Sequence, residues 1–127
     1  MAKFASQNFL DGGLNYLKTN GTKQLLIKAY TAGDSYATVV ANAVAEVAMA
    51  SGDYTLSGAS GAARVLTTAT KTSTATAGSG ATPNLYFAFT NGTSEVIYVT
   101  DETTDNVVSA GNTINWPSLT YTSGQPT

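Results

Sequence analysis

Histidine and cysteine are both absent from this chain of 127 residues. Ser-His-Asp triads, Cys-His pairs and the common zinc sites each require one of these residues, so their absence excludes most familiar routes to catalysis. The absence of cysteine also excludes disulfides, which a domain of this length does not need because it can bury about two thirds of its surface. It fits synthesis in the cytosol, where disulfides are rare.

Charged side chains are also scarce. They make up 11% of the sequence, against about 25% in an average soluble domain, and the net charge is −2. A phosphate backbone is bound by clustered Lys and Arg, but the six cations are spread along the chain, so we expect no nucleic-acid partner. No apolar run approaches the roughly 20 residues of a membrane helix, and the first residues lack the apolar core of a signal peptide. We therefore expect no membrane partner.

The remaining composition favours β-structure. Apolar residues make up 43% of the chain, which is enough for a core, and the polar residues are mainly Thr, Ser, Asn and Gly. Thr is β-branched and favours strands, whereas Gly and Asn supply turns. A surface with little charge offers little repulsion between copies of the chain, which makes self-association easier.

The first twenty residues predict one amphipathic helix over Ser6–Lys18, with Ser6 as the N-cap and Asn20-Gly21 as the stop. The apolar positions expected on one face are Phe9, Leu10, Leu14 and Leu17. The pair Gly12-Gly13 weakens a helix by about 1 kcal/mol per glycine relative to alanine, which is easier to explain if another backbone packs there. Two interpretations stay open: the helix covers the chain's own sheet, or it reaches a neighbouring molecule.

Downstream, the sequence predicts short strands separated by turns. The segments with strand character are Gln24–Tyr30, Ala43–Met49, Arg64–Ala75, Asn84–Phe89, Glu95–Thr100, Asp105–Val108 and Leu119–Tyr121. The clearest pair flanks Asn91-Gly92, a strong hairpin turn, and the alternation places Leu85, Phe87 and Phe89 on one face.

These elements predict a mainly β protein, a β-sandwich or barrel-like fold with a short N-terminal helix. We expect a single domain over residues 1–127. Within it, residues 1–20 form the helical segment, residues 23–121 the β domain and residues 122–127 a loose tail.

Candidate sites for chemistry are few. Asp101, Glu102 and Asp105 lie in the only acidic cluster, and carboxylate oxygens suit a hard cation such as Ca²⁺, although the spacing is not that of an EF-hand. A solvated turn is the alternative. The other acids are scattered, so the paired carboxylates of a glycosidase are not indicated. We expect no catalytic residue, no cofactor and no metal.

Aromatic side chains are the other candidates. Tyr86 and Tyr98 lie in the two arms of the hairpin and are expected to pair across its outer face. Trp116 is expected to be extended because Pro117 follows it. An exposed aromatic face of this kind binds sugars or proteins, and a half-buried cross-strand pair is the alternative.

The segment 8–18, Asn-Phe-Leu-Asp-Gly-Gly-Leu-Asn-Tyr-Leu-Lys, resembles the start of small structural proteins of tailed bacteriophages. Those chains begin with a short helix of the type Leu-Asp-x-x-Leu-x-Tyr-Ile-Lys, followed by an apolar strand, here Gln24–Tyr30. Residues 107–113 and 116–119 look like their C-terminal strand region.

The resemblance implies a virion component that is made in the host bacterial cytoplasm. Within that class we expect a capsid decoration (cement) protein on the capsid surface, which forms a homo-oligomer, with a trimer as the expected state, and binds the phage major capsid protein. The expected contact residues are Phe4, Phe9, Leu10 and Leu14, with Tyr86, Tyr98 and Trp116 as further candidates. A tail, collar or baseplate component and a module that binds host-surface glycans are the alternatives.

Overall fold

The protein is mainly β, as the sequence predicts, in a computed structural model that describes residues 2–104 and 106–127. The helices of the described residues are α1 (Gln7–Asn20), α2 (Tyr36–Ala41) and a 3₁₀ turn at Ser51–Asp53. Their strands are β1 (Lys23–Ile27), β2 (Ala43–Ala48), β3 (Tyr54–Ser57), β4 (Arg64–Thr68), β5 (Lys71–Thr74), β6 (Tyr86–Thr90), β7 (Val96–Asp101), β8 (Thr113–Trp116) and β9 (Thr120–Ser123).

The strands form three antiparallel sheets that pack as a sandwich. A four-stranded sheet has the order β2-β1-β6-β7, a three-stranded sheet the order β3-β4-β9, and β5 pairs with β8 as a ribbon. Side chains on the inner face of the four-stranded sheet meet the ribbon in one cluster around Leu26, Phe87 and Trp116. A second cluster, which contains Phe89 and Leu66, joins the same face to the three-stranded sheet and α1.

The opposite face of the four-stranded sheet is covered in part by α2. Ser35 caps this helix, since its hydroxyl accepts a hydrogen bond from Thr38 N at 3.2 Å. The buried Val39 of α2 packs on Leu25 and Ile27 of β1. The β-strand predicted over Ala43–Met49 follows directly, so the two halves of this Ala- and Val-rich segment differ in structure.

The ends of α1 lie close to their predicted places. Ser6 is the N-cap, and its hydroxyl accepts a hydrogen bond from Phe9 N at 3.2 Å. At the other end Gly21 N donates to Leu17 O at 2.7 Å, and the buried Tyr54 hydroxyl donates to Gly21 O at 2.6 Å. A Cβ at Gly21 would lie 2.6 Å from the Tyr54 oxygen, so the close packing of helix end and strand requires glycine there.

The predicted hairpin is present as β6 and β7, with a longer connection than a two-residue turn. Asn91 N donates to Glu95 O at 3.1 Å, which closes the loop. The Asn91 side-chain oxygen accepts from the main-chain N–H groups of Thr93, Ser94 and Glu95, and Gly92 has a φ of +80°. Asn91 therefore organises the loop through its side chain.

Two predictions about the C-terminal part are wrong. Asn106–Val108 form no strand, and the end of that predicted segment, Asp105, lies outside the described residues. The tail is not loose, because β9 extends to Ser123 and the Gln125 side chain forms two hydrogen bonds with the main chain of Ala5. Gln125 Oε1 accepts from Ala5 N at 2.8 Å, and Gln125 Nε2 donates to Ala5 O at 2.9 Å. A single carboxamide can hold two backbone groups in this way, which composition alone does not reveal.

Candidate assembly surface

The outward side of α1 exposes two aromatic rings beside two glycines. Phe9 is 78% exposed and Tyr16 is 47% exposed, and Gly12 and Gly13 between them are also exposed. With 3.6 residues per turn these four positions lie within about 100° of one another around the helix axis. We call them the α1 outer face.

The inward side of α1 explains this orientation. Leu14 and Leu17 are buried in the core cluster that contains Met49 and Leu66, and Leu10 is buried as well. Three leucines at i, i+4 and i+7 form one apolar stripe. The helix therefore covers the chain's own sheets, which is the first of the two interpretations open from sequence, while Phe9 points away from that stripe.

Both charged side chains of α1 also turn inward. The Asp11 carboxylate accepts two hydrogen bonds from the Arg64 guanidinium, from Nε at 2.8 Å and from Nη2 at 3.2 Å. This pairing raises the pKa of Arg64. Lys18 Nζ donates to Tyr54 O at 2.7 Å. The exposed residues of α1 are consequently all uncharged: Gln7, Asn8, Phe9, Gly12, Gly13, Asn15, Tyr16 and Thr19.

The two glycines are not explained by packing within the chain. A Cβ built at Gly12 or at Gly13 meets no atom within 4 Å among the described residues. Each glycine nevertheless costs the helix about 1 kcal/mol relative to alanine. Without a side chain, both glycines leave the main chain of α1 open to close approach from outside.

Tyr16 is held in place by a hydrogen bond. Its hydroxyl donates to Glu95 Oε1, in the loop before β7. This bond to a carboxylate raises the pKa of Tyr16 above its ordinary value. A ring fixed in this way loses little additional side-chain entropy when a partner covers it.

Phe4 adds a third exposed ring, at 64% exposure, on the segment before α1. The hydrogen bonds from Gln125 to Ala5 anchor this segment next to the C-terminus. Lys3 Nζ also donates to the main-chain oxygen of Thr127 at 2.6 Å. These hydrogen bonds hold the segment that contains Phe4 against the C-terminal residues, while the Phe4 ring stays exposed to solvent.

Three predicted contact residues are in the interior instead. Leu10 and Leu14 belong to the inward stripe of α1, and Trp116 is 1% exposed. The Trp116 ring packs on Phe87 with a centroid separation of 5.8 Å, and its Nε1 donates to Ser73 Oγ at 2.8 Å. A partner cannot reach these side chains while the chain stays folded, so they are corrected to core residues.

Tyr86 and Tyr98 do not pair with each other. In the register of β6 and β7, Tyr98 lies opposite Phe89, whereas Tyr86 lies opposite Asp101. Side chains alternate along a strand, so Tyr98 packs on the inner face with Phe89 and Tyr86 packs on the outer face with Tyr30. Both are half-buried, and they form no shared aromatic surface.

A cleft of about 560 Å³ opens at the end of the sandwich, between the inner sheet face and β8. Its floor is apolar, with Leu26, Leu85 and Phe87, and its rim carries Glu102 and several Asn and Thr side chains. Glu102 is 7% exposed, and its Oε1 accepts hydrogen bonds from Thr104 N at 2.8 Å and from Thr104 Oγ1 at 2.6 Å. Among the described lining residues it is the one carboxylate, so they do not form the two-carboxylate arrangement of a glycosidase.

The cation site considered at Asp101, Glu102 and Asp105 is not assembled by the described residues. Asp105 lies outside them. Glu102 turns inward to Thr104, whereas Asp101 is exposed at the end of β7. Across residues 2–104 and 106–127, no three Asp or Glu side chains come together as a metal-binding group.

The sequence predicts Phe9 on the same helix face as Leu10, Leu14 and Leu17, but in the structure it points away from them. The cleft was not predicted. The helical spacing contained the signal for Phe9, because i, i+4 and i+7 from Leu10 select Leu14 and Leu17 and leave Phe9 about 100° away. The cleft gave no such signal, since its lining comes from four separate stretches of the chain.

None of the helices in the described part of the chain is long and apolar enough to cross a membrane. Comparisons of the chain with protein-family models, curated proteins and solved structures found no match. The α1 outer face and the cleft are therefore the features of the molecule that bear on its function.

Proposed function

We propose that this protein is a non-enzymatic structural component that works by packing against other protein subunits. The single observation that carries the proposal is the α1 outer face, where Phe9 and Tyr16 stand exposed beside two glycines that the chain's own packing does not require. Exposed aromatic residues are enriched at protein interfaces, and glycine permits a partner to approach the main chain closely.

The low charge of the surface supports the same role. The charged side chains of α1 are engaged within the chain, so a partner that covers the outer face displaces water from neutral groups and leaves no unpaired charge behind. Binding through such a face depends on apolar area and shape. Many copies on a repeating lattice would add avidity to each weak contact.

Within this class we propose a virion role, and first a capsid decoration protein on the capsid surface that binds the phage major capsid protein. The resemblance of residues 8–18 to phage structural proteins supports this choice, and the same segment contains the α1 outer face. Phe4 and Phe9 are the predicted contact residues that are exposed, and each can contact a neighbouring subunit, either a second copy of this chain or the major capsid protein. A tail, collar or baseplate component is the alternative position in the same particle.

The test is the copy number of this chain in purified particles, measured by quantitative mass spectrometry. Hundreds of copies per particle are expected for a capsid decoration protein, and a few copies for a tail or baseplate component. Phe9→Ser should remove the chain from particles, whereas the control Val40→Ser, which changes an exposed apolar residue on α2, should not. Particles without the chain, or equal loss for both variants, would refute the proposal.

The cleft favours a second candidate, a module that binds a small polar ligand such as a glycan. The observation behind it is the buried Glu102 carboxylate beside the Asn and Thr side chains on the rim, above an apolar floor. Ligand sites are typically concave and apolar with a few convergent polar groups. A glycan array followed by NMR titration tests this candidate, with loss of binding expected in Glu102→Gln; an array without hits removes it.

A further inference from the structure

We infer that two copies of this chain pair through their α1 outer faces, with the helices antiparallel about a two-fold axis that passes between Gly12 and Gly13. The inference rests on the proposed function, because it names the partner as a second copy and gives the contact a geometry. It differs from the trimer expected from the family resemblance.

The spacing of the four residues is self-complementary. Phe9 lies as far before the midpoint of Gly12 and Gly13 as Tyr16 lies after it. In an isologous contact, residue i meets residue j of the partner and residue j meets residue i. Antiparallel pairing about that midpoint places each Phe9 against the partner's Tyr16, and it places the glycines against each other. Phe9 and Tyr16 are about 10 Å apart along the helix axis. The dimer therefore has two aromatic contacts at this separation, and between them the main chains of the two helices can meet at their glycines.

The surroundings favour a second copy over a charged partner. The exposed residues of α1 carry no charge, and the Glu95 carboxylate beside the outer face already accepts a hydrogen bond from Tyr16. Two copies that each carry a net charge of −2 can approach through this face without placing like charges opposite each other. The Tyr16–Glu95 bond also fixes the ring that Phe9 of the second copy would meet.

The size of the contact predicts a reversible association. Four aromatic rings bury at most roughly 150–250 Å² each, so the pair buries less than the roughly 1,600 Å² of a standard stable interface. We therefore expect a dimer that forms at high micromolar concentrations and dissociates on dilution. In a larger particle the same contact would be reinforced by the other contacts of each copy.

The geometry is tested by isotope-filtered NMR on a concentrated mixture of ¹³C-labelled and unlabelled wild-type protein. The expected result is a set of intermolecular NOEs between the Phe9 ring of one copy and the Tyr16 ring of the other. Intermolecular Phe9–Phe9 NOEs would contradict the two-fold antiparallel arrangement, because they require parallel helices or a three-fold axis. The absence of any intermolecular NOE at about 1 mM would overturn the pairing itself.

A pair of leucine variants provides the control that separates the contact from folding. Gly13→Leu adds bulk at the axis, whereas Asn15→Leu adds bulk to an exposed position on another side of the same helix. Both variants should fold at least as stably as the wild type, since a Cβ at Gly13 meets no atom and leucine is a better helix former than glycine or asparagine. In sedimentation equilibrium, Gly13→Leu should weaken the dimer at least tenfold while Asn15→Leu leaves it unchanged; equal effects would overturn the inference.

Failure of this pairing and failure of the proposed function give different experimental results. A dimer in purified protein with the chain missing from particles would remove the virion role and keep the pairing. A chain abundant in particles but monomeric in solution, with Gly13→Leu incorporated normally, would keep the structural role and remove the pairing.

Discussion

Gln24 is a buried polar side chain without hydrogen-bond partners among the described residues, and replacing it with an apolar residue should stabilise the protein. It lies in β1 on the inner face of the four-stranded sheet, between Val47 of β2 and Phe89 of β6. Its exposed fraction is 0%. Neither the Nε2 nor the Oε1 atom has a hydrogen-bond partner among the described residues. We predict that Gln24→Met increases the free energy of unfolding.

The magnitude follows from the unpaired carboxamide. Leaving a buried polar group without a partner costs about 1–3 kcal/mol in protein mutational data. Methionine is unbranched and close to glutamine in length, so it can occupy the same space with little repacking. The expected gain is therefore about 1–3 kcal/mol, which raises the midpoint of thermal unfolding by roughly 4 °C for each kcal/mol in a domain of this size.

The assay is urea unfolding followed by circular dichroism and tryptophan fluorescence, with Leu25→Met as the matched control. Leu25 is the next residue of β1, is also buried, and faces the opposite side of the sheet. Its replacement introduces the same methionine without removing an unpaired polar group, and should lose less than about 1.5 kcal/mol. A loss of stability in Gln24→Met larger than that in Leu25→Met would refute the reasoning, because it would mean that the carboxamide is hydrogen-bonded in the native protein.

Three further predictions concern the contacts that hold α1 and the 3₁₀ turn. Gly21→Ala should lose about 1–3 kcal/mol of unfolding free energy in urea titrations, because the new Cβ would meet the Tyr54 oxygen at 2.6 Å; wild-type stability would contradict the packing described. Arg64→Met should lower the free energy of unfolding, because it leaves the Asp11 carboxylate without its partner, and adding Asp11→Leu should recover most of the loss; additive losses would contradict the pairing. The hydrogen bond from Ala50 N, with the Lys71 ammonium, lowers the pKa of Asp53 below its ordinary value of 3.8. The carboxylate therefore contributes stability above about pH 4 that is lost as the pH falls through the lowered pKa, and Asp53→Asn should flatten the acid side of a stability–pH curve; an unchanged curve would contradict this role.

Local signals in the sequence were enough for much of the fold. Ser6 capped α1 as predicted, because a hydroxyl before an amphipathic run satisfies a free N–H at the helix end. Asn91-Gly92 connected two antiparallel strands, and Leu85, Phe87 and Phe89 turned to the inner face of the sandwich. Each of these features depends on neighbours within a few residues.

The features that the sequence did not reveal depend on residues far apart in the chain. Gln125 holds Ala5 across 120 positions, so the apparent tail is fixed by a contact that local composition does not indicate. Trp116 can lie in the core because the hydroxyl of Ser73, which is distant in the sequence, accepts a hydrogen bond from its Nε1. Tyr86 and Tyr98 were assigned to one face by their places in the two arms, but the register between the arms decides the face.

The candidate site was predicted in part. Phe9 and Phe4 were named as contact residues, and their exposure fits that role, whereas Leu10 and Leu14 turned inward. Leu14→Ser would not test the surface, because it would place a hydroxyl in the core and destabilise the fold. Phe9→Ser, in contrast, changes an exposed side chain and leaves the core intact.

Sedimentation equilibrium of the wild type and Phe9→Ser tests the central claim, self-association through the α1 outer face, most directly. Between about 10 μM and about 1 mM, a range that corresponds to weak association, the average mass of the wild type should rise reversibly above that of a single chain. Phe9→Ser, with an unchanged unfolding transition, should keep the mass of a single chain over the same range. A wild type that stays monomeric at the highest concentration, or a variant that associates as well as the wild type, would contradict the account.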